Sequence, residues 1–192
     1  MLGALTARRF QLGVVDEPAP GDERFTGRLC IPYLTRAGVL GLKFRCIALA
    51  SDPEHSCKAA KHPKYDQPHG QPQRLYNTAA CFSVGDVLGV CEGELDAITA
   101  TEHLGIPAIG VPGATQWKND GWHWQLALRD FGTVVIFGDG DEPGKNLATQ
   151  IAADAGSATR VVICPDGHDI NSMVVAGRGD ELRRKAGIGA SA

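Results

Sequence analysis

No apolar run in the 192 residues reaches the roughly 18 to 20 positions of a membrane-spanning helix, so no such helix is predicted. The opening "MLGALTARRFQLG" lacks a signal-peptide layout, because its arginines follow a short apolar start and no apolar core succeeds them. Cytoplasmic residence is the resulting expectation. The six cysteines, at 30, 46, 57, 81, 91 and 164, include no CxxC pair. Cys46, His55, Cys57 and His62 lie near one another, but their spacing matches no standard ligand pattern, so zinc is not expected there. Cys30, Cys91 and Cys164 fall in or beside strand-like runs, where a free thiol serves as a small apolar group. Repeats and low-complexity tails are also missing. What remains, 43% hydrophobic and 21% charged residues, is ordinary globular material for one large domain or two small ones.

The net charge of −3 conceals an asymmetry. Residues 1–80 hold 11 basic and 7 acidic side chains, a balance of +4, whereas residues 81–192 hold 8 and 15, a balance of −7. A basic front and an acidic back suit a protein that holds a polyanion with one part and cations with the other. Chance variation between two solvated surfaces explains the charge alone equally well.

The same boundary separates two patterns. In the front part, "GRLCIPYL" and "VLGLKFRCIAL" are strand-like, with Thr35-Arg36-Ala37-Gly38 as a hairpin turn. A polar stretch over 50–77, rich in Pro, His and Lys, then predicts a long irregular loop. Loops of this length are either disordered or functional, and its basic residues with Tyr65 and Tyr76 favour function. From "DVLGVCEG" onward, strands and helices alternate with short connections to the end of the chain, which closes in one or two short helices. That alternation predicts an α/β fold with a parallel sheet, flanking helices, and a site at the carboxyl ends of the strands. The predicted division is a smaller basic α+β subdomain over 1–80 and a Rossmann-like domain over 81–192.

Three of the predicted strands end in acid. Val90-Cys91 leads to Glu92, with Asp96 close behind; Ile136-Phe137 leads to Asp139 and Asp141; Ile163-Cys164 leads to Asp166 and Asp169. In a parallel sheet these ends share one edge. Acidic residues are also favoured as helix N-caps, which accounts well for Glu142 and Asp169. It accounts poorly for Glu92, Asp139 and Asp141, which sit on glycine-flanked turns. Hard oxygen ligands favour magnesium or manganese. "GDGDEPGKN" does not make a Walker phosphate loop, because its glycine spacing is wrong and Asn146 follows the lysine. Trp117, Trp122 and Trp124 could stack on a base, but packing in the core is the expected role.

The pairing of "VCEGELDAITA" with "VVIFGDGDEPGKNLA" resembles the Toprim domain, shared by bacterial-type primases, type IA and II topoisomerases, and some nucleases and recombination proteins. The likeness covers roughly 84–175. "FTGRLCIPYLTRAGVLGLKFRCI" with "HPKYDQPHGQPQRLYN" resembles the basic subdomain of bacterial-type primases, as does "LTARRFQLGV" their opening. The resemblance implies a DNA primase: a nucleotidyltransferase making short RNA primers on single-stranded DNA from ribonucleoside triphosphates, with Mg2+ or Mn2+. Glu92, Asp139 and Asp141 would be catalytic and hold the metals, with Asp96 and Asp169 as accessory ligands. Arg45, Lys64 and Arg74 match positions that face template and nucleotide phosphates, and Lys145 could approach phosphate. Asn171 stands where primases often have a further Asp. The sequence holds neither the zinc-binding module nor the helicase of such proteins, so the expectation is a separate helicase or zinc-binding partner, or else a chain that is a fragment or a separately encoded core. The rival readings are a metal-dependent Toprim nuclease and a non-catalytic nucleic-acid-binding accessory of replication.

Overall fold

The computed structural model describes residues 3–156 and 158–189, with the side chains at 120 and 121 outside the description. The chain forms two compact units, over 2–72 and over 73–192. Residues 73–80, grouped by the sequence with the basic part, therefore belong to the second unit. None of the described helices is long and apolar enough to cross a membrane.

The first unit opens with α1 (Ala4–Arg9) and carries a four-stranded antiparallel sheet in the order β1 (Gly13–Val14), β2 (Leu29–Thr35), β3 (Gly38–Arg45), β4 (Tyr65–Asp66). The β2–β3 hairpin closes at Thr35 opposite Gly38, as the turn residues predict. Its core is aromatic. Phe25 and Phe44 stack with ring centroids 3.9 Å apart, and Phe10, Ile31 and Tyr33 are buried with them. The predicted second strand stops at Arg45, and "ALA" at 48–50 is instead one short 3-10 turn. Gln71 then straps the hairpin: its side chain accepts from the Leu42 N–H at 2.8 Å and donates to the Leu42 carbonyl at 3.0 Å. The predicted loop thus runs back to the sheet twice, at β4 and at Gln71, which is how a segment poor in regular structure satisfies its backbone.

The second unit is the predicted parallel sheet, in the order β6 (Ala108–Val111), β5 (Val87–Glu92), β7 (Thr133–Gly138), β8 (Ala158–Ile163). Strands β5 and β7 read as near-continuous apolar runs because helices cover both faces. Alternate residues point to opposite sides. Leu88, Val90, Ile109, Val134 and Ile136 pack with α3 (Ala114–Leu128) and α4 (Glu142–Asp154). The other face meets α2 (Glu94–Thr99), α5 (Ile170–Val175) and α6 (Gly179–Lys185), whose Ile98, Ile170, Met173 and Leu182 are buried. Tyr76 covers the β6 edge by exchanging two backbone hydrogen bonds with Gly110, 2.8 and 3.1 Å long.

Two sequence expectations change here. Tyr76 is buried, its backbone closes the sheet edge, and burial followed by the Glu94 charge drives its hydroxyl far above the usual tyrosine range, so it is not the loop-surface residue expected. Of the tryptophans, Trp117 is fully buried and donates to Asp154 at 2.9 Å, and Trp124 packs partly buried against the same core. Trp122 is exposed, so packing does not account for all three.

Candidate active site

Strands β5, β7 and β8 are direct neighbours, so their carboxyl ends lie side by side along one edge at strand spacings of about 4.8 Å. Glu92 is the last residue of β5. Gly93 follows at φ 91°, a left-handed turn that starts α2 one residue later, so Glu92 stays at the sheet edge instead of joining the helix. Asp139 and Asp141 follow β7 directly, and the loop after β8 brings Asp166 and Asp169 to the same edge.

The "GDGD" turn is held by close backbone packing. Gly140 donates its N–H to the His168 carbonyl at 2.8 Å. A Cβ on Gly140 would collide with the Pro165 carbonyl oxygen and lie 3.0 Å from the Asp166 Cα. A Cβ on Gly144 would meet Asp139 backbone atoms at 2.8 and 2.9 Å. These glycines let the turn, the first turn of α4 and the β8 loop approach one another, which explains a glycine-rich segment that is not a phosphate cradle.

Asp141 turns out to be the N-cap of α4: its Oδ1 accepts from the Gly144 N–H at 2.8 Å, with Pro143 in the first turn. Capping therefore explains more of Asp141 than the sequence suggested, although it engages one carboxylate oxygen. Asp169 caps α5 in a reciprocal box with Ser172, as expected, at 2.6 Å. Asp96, on α2, accepts from the Asn171 backbone N–H at 3.1 Å, and Thr99 donates to the Asn171 side chain at 3.3 Å. Asn171 thus ties α2 to α5, a role that a helix-start amide fills without adding charge.

The electrostatics mark this edge as strongly negative. Burial first, then the Asp141 charge, pushes the half-buried Glu92 carboxyl up from the ordinary carboxylate range. Burial, then Asp139, Asp96 and Asp169, pushes the Cys164 thiol up to about 12. Cys91 is raised by burial and by Asp96 and Asp139. Both thiols are buried and protonated, the apolar role expected of them. Lys145 stands in the first turn of α4 and pairs with exposed Asp166 at 3.0 Å, which raises its pKa. Arg74 is half-buried, with its Nε enclosed and without a hydrogen-bond partner among the described residues.

In the first unit, Arg45 and Tyr65 are paired across β3 and β4. Around the Tyr65 ring stand three cations: Lys43 at 5.0 Å, Arg45 at 5.5 Å and Lys64 at 6.0 Å from the ring centre. An aromatic face ringed by cations is the arrangement that stacks a base and holds its phosphates. Lys43 was missed in the sequence. Its signal was its alternation with Arg45 on one strand face, readable only once Tyr65 is known to lie beside it.

The Toprim-like domain family matches residues 89–174. The Gene 57 protein of Mycobacterium phage D29 is 42% identical over 120 residues, covering 62% of this chain and 76% of that protein. Among solved structures, the Aquifex aeolicus primase with its zinc-binding and RNA polymerase domains superposes at a TM-score of 0.72, with 20% identity over 97% of this chain. The chain spans 53% of that protein's length. A DnaG primase catalytic domain bound to single-stranded DNA superposes at 0.71, again at 20% identity, over 97% of this chain and 70% of that one. The chain belongs to the family of the phage Gene 57 protein, carries a Toprim-like domain, and has the fold of the bacterial primase catalytic core.

Proposed function

We propose that the chain is a cytoplasmic DNA primase core, which makes short RNA primers on single-stranded DNA by metal-dependent nucleotidyl transfer from ribonucleoside triphosphates. One observation carries this reading: Glu92, Asp139 and Asp141 leave adjacent parallel strands at one edge, on a frame shared with primase cores over 97% of the chain. The donor set fits a hard divalent ion. It is all oxygen, and an ionised Glu92 beside Asp141 is costly without a counter-charge. Held by Glu92, Asp139 and Asp141, with Asp96 and Asp169 in the same acidic field, Mg2+ or Mn2+ would activate the attacking 3′-hydroxyl and neutralise charge on the pyrophosphate leaving group.

The chain's other residues bind and orient. Tyr65 offers a base-stacking face, while Arg45 grips phosphate in bidentate fashion and Lys64 and Lys43 act as point charges. Such contacts place a template without reading its sequence. Arg74 is half-buried with its Nε enclosed, so any grip on nucleotide phosphate would come from the terminal nitrogens of its guanidinium. Lys145 already has a carboxylate partner, so phosphate would have to displace Asp166, which its exposure permits. A helicase and a zinc-binding module are the proposed partners in replication.

The test is primer synthesis on single-stranded DNA with labelled ribonucleotides and Mg2+ or Mn2+, with a helicase partner supplied. Template-dependent short RNA is the expected product. Cleavage of the DNA without nucleotides, with no RNA formed, would replace this reading with a nuclease.

A further inference from the structure

Among the described residues, the one group of three or more His, Cys, Asp or Glu side chains whose ligand atoms all lie within 4.8 Å of one another is Cys46, His55, Cys57 and His62. It lies in the first unit, apart in sequence from every carboxylate considered above. We propose that these four residues form a structural zinc site, with two thiolates and two imidazoles closing a tetrahedral shell.

The distances fit. With Zn–S of about 2.3 Å and Zn–N of about 2.0 to 2.1 Å at tetrahedral angles, sulfur and nitrogen ligands sit roughly 3.5 Å apart. The Cys46 Sγ to His55 Nε2 separation is 3.3 Å, and Cys57 Sγ to the same nitrogen is 3.6 Å. The His55 and His62 ring centroids are 5.3 Å apart, and one nitrogen of each ring lies within 4.8 Å of the other ligand atoms. Two sulfurs and two nitrogens in tetrahedral array select zinc over magnesium or calcium. Two thiolates cancel the ion's charge, and binding releases their two protons.

The surroundings orient the ligands. His62 Nδ1 is 3.1 Å from the Pro63 carbonyl oxygen. The same nitrogen is 3.2 Å from an Arg28 guanidinium N–H, which only donates, so zinc on Nε2 would select the Nδ1–H tautomer that donates to Pro63 and leave Arg28 to its carbonyl partners. The buried Arg28 braces the same spot, donating to the Pro63 carbonyl at 3.0 Å and to the Arg24 carbonyl at 3.2 Å.

The site also supplies what the local sequence lacks. Between β3 and β4 the chain has only one short 3-10 turn, and its two ends are tied by the Cys46 N–H donating to the Lys64 carbonyl at 2.8 Å. The four ligands stand at the start, middle and end of that segment, so one ion would staple it at three points. Loops of this length with so little regular structure are functional or disordered, and an ion here would supply order. Because the segment begins after Arg45 and ends at Lys64, the staple would also fix where those two cations emerge. Sequence spacing argued against zinc here because the ligands follow no standard pattern; the fold supplies the proximity instead.

The test measures metal content of the full chain purified without chelator, then replaces zinc by Co2+. About one zinc per chain is expected. Cobalt should give tetrahedral d–d bands with sulfur-to-metal charge transfer, which an all-oxygen site cannot produce. Both signals should vanish in Cys46→Ser/Cys57→Ser and persist in Cys81→Ser. Zinc retained by the double variant would overturn the proposal. So would a reduced wild type that takes up no zinc and gives no tetrahedral cobalt spectrum, including one purified with a Cys46–Cys57 disulfide. Should the double variant not fold, the wild-type cobalt spectrum decides alone.

Discussion

The carboxylate edge of the second unit and the Cys/His cluster of the first differ in how tightly they gather. The thiols and imidazoles draw to within 4.8 Å of one another, whereas among the described residues no three carboxylates do. Charge explains the contrast. Thiols and imidazoles repel one another less than ionised carboxylates do, and the acids are kept near one another by backbone: strand ends, helix caps and the seating of Gly140 on the β8 loop. A carboxylate site must therefore be built by the fold and completed by its cation, and its residues need strong independent anchors. The Cys/His site needs only a loop that returns.

The largest expected effect comes from removing charge at the edge without removing shape. Glu92→Gln and Asp139→Asn should each cut primer synthesis at least ~100-fold, since displacing even an indirect partner of a metal ligand costs up to that much. Circular dichroism should stay unchanged. The next effect concerns the platform. Tyr65→Ala should weaken single-stranded DNA binding by about 1 to 3 kcal/mol in a fluorescence titration, while Tyr65→Phe keeps most of it. A titration in which the two variants behave alike would remove stacking from the account.

Gly140→Ala sharpens the comparison from the packing side. Its new methyl has no room against Pro165, so denaturant unfolding should show a loss of about 1 to 3 kcal/mol. Gly27→Ala is a control that meets no crowding but carries strain from its own φ of 73°. Gly140 itself has no left-handed φ, so an unchanged stability in Gly140→Ala would mean that the close approach to Pro165 relaxes at no cost.

The smallest effect is a pH dependence. Glu92 has a folded pKa above its unfolded one, so the folded state binds the extra proton, and stability falls as pH rises from the ordinary glutamate range through the raised value. Melting temperatures across that window should fall for wild type relative to Glu92→Gln. Added Mg2+ or Mn2+ should flatten the difference, because the ion favours the carboxylate.

Much of the second unit was legible in the sequence because its signals are local: apolar runs of strand length, glycine stops, and acids at predicted strand ends. Glu92, Asp139 and Asp141 could be placed on one edge without coordinates, since a parallel sheet leaves them nowhere else. The capping role of Asp141 was underestimated, because an acid at a strand end before a helix gives the same signal whether it caps the helix or would hold an ion. The first unit was harder to read. Lys43 and the four Cys/His residues depend on how a long segment returns to β3, and neither periodicity nor spacing encodes that path. Tyr76 looked like loop surface because nothing local shows that a polar segment will close a sheet edge.

Primer synthesis as proposed needs Glu92, Asp139 and Asp141 jointly to hold a divalent ion. The most direct measurement is Mn2+ binding by electron paramagnetic resonance in the presence of a ribonucleoside triphosphate, comparing wild type with Glu92→Gln and Asp139→Asn. Wild type should sequester the ion, and each variant, folded alike, should bind it many-fold more weakly. Undiminished Mn2+ binding in both variants would contradict this shared ion site.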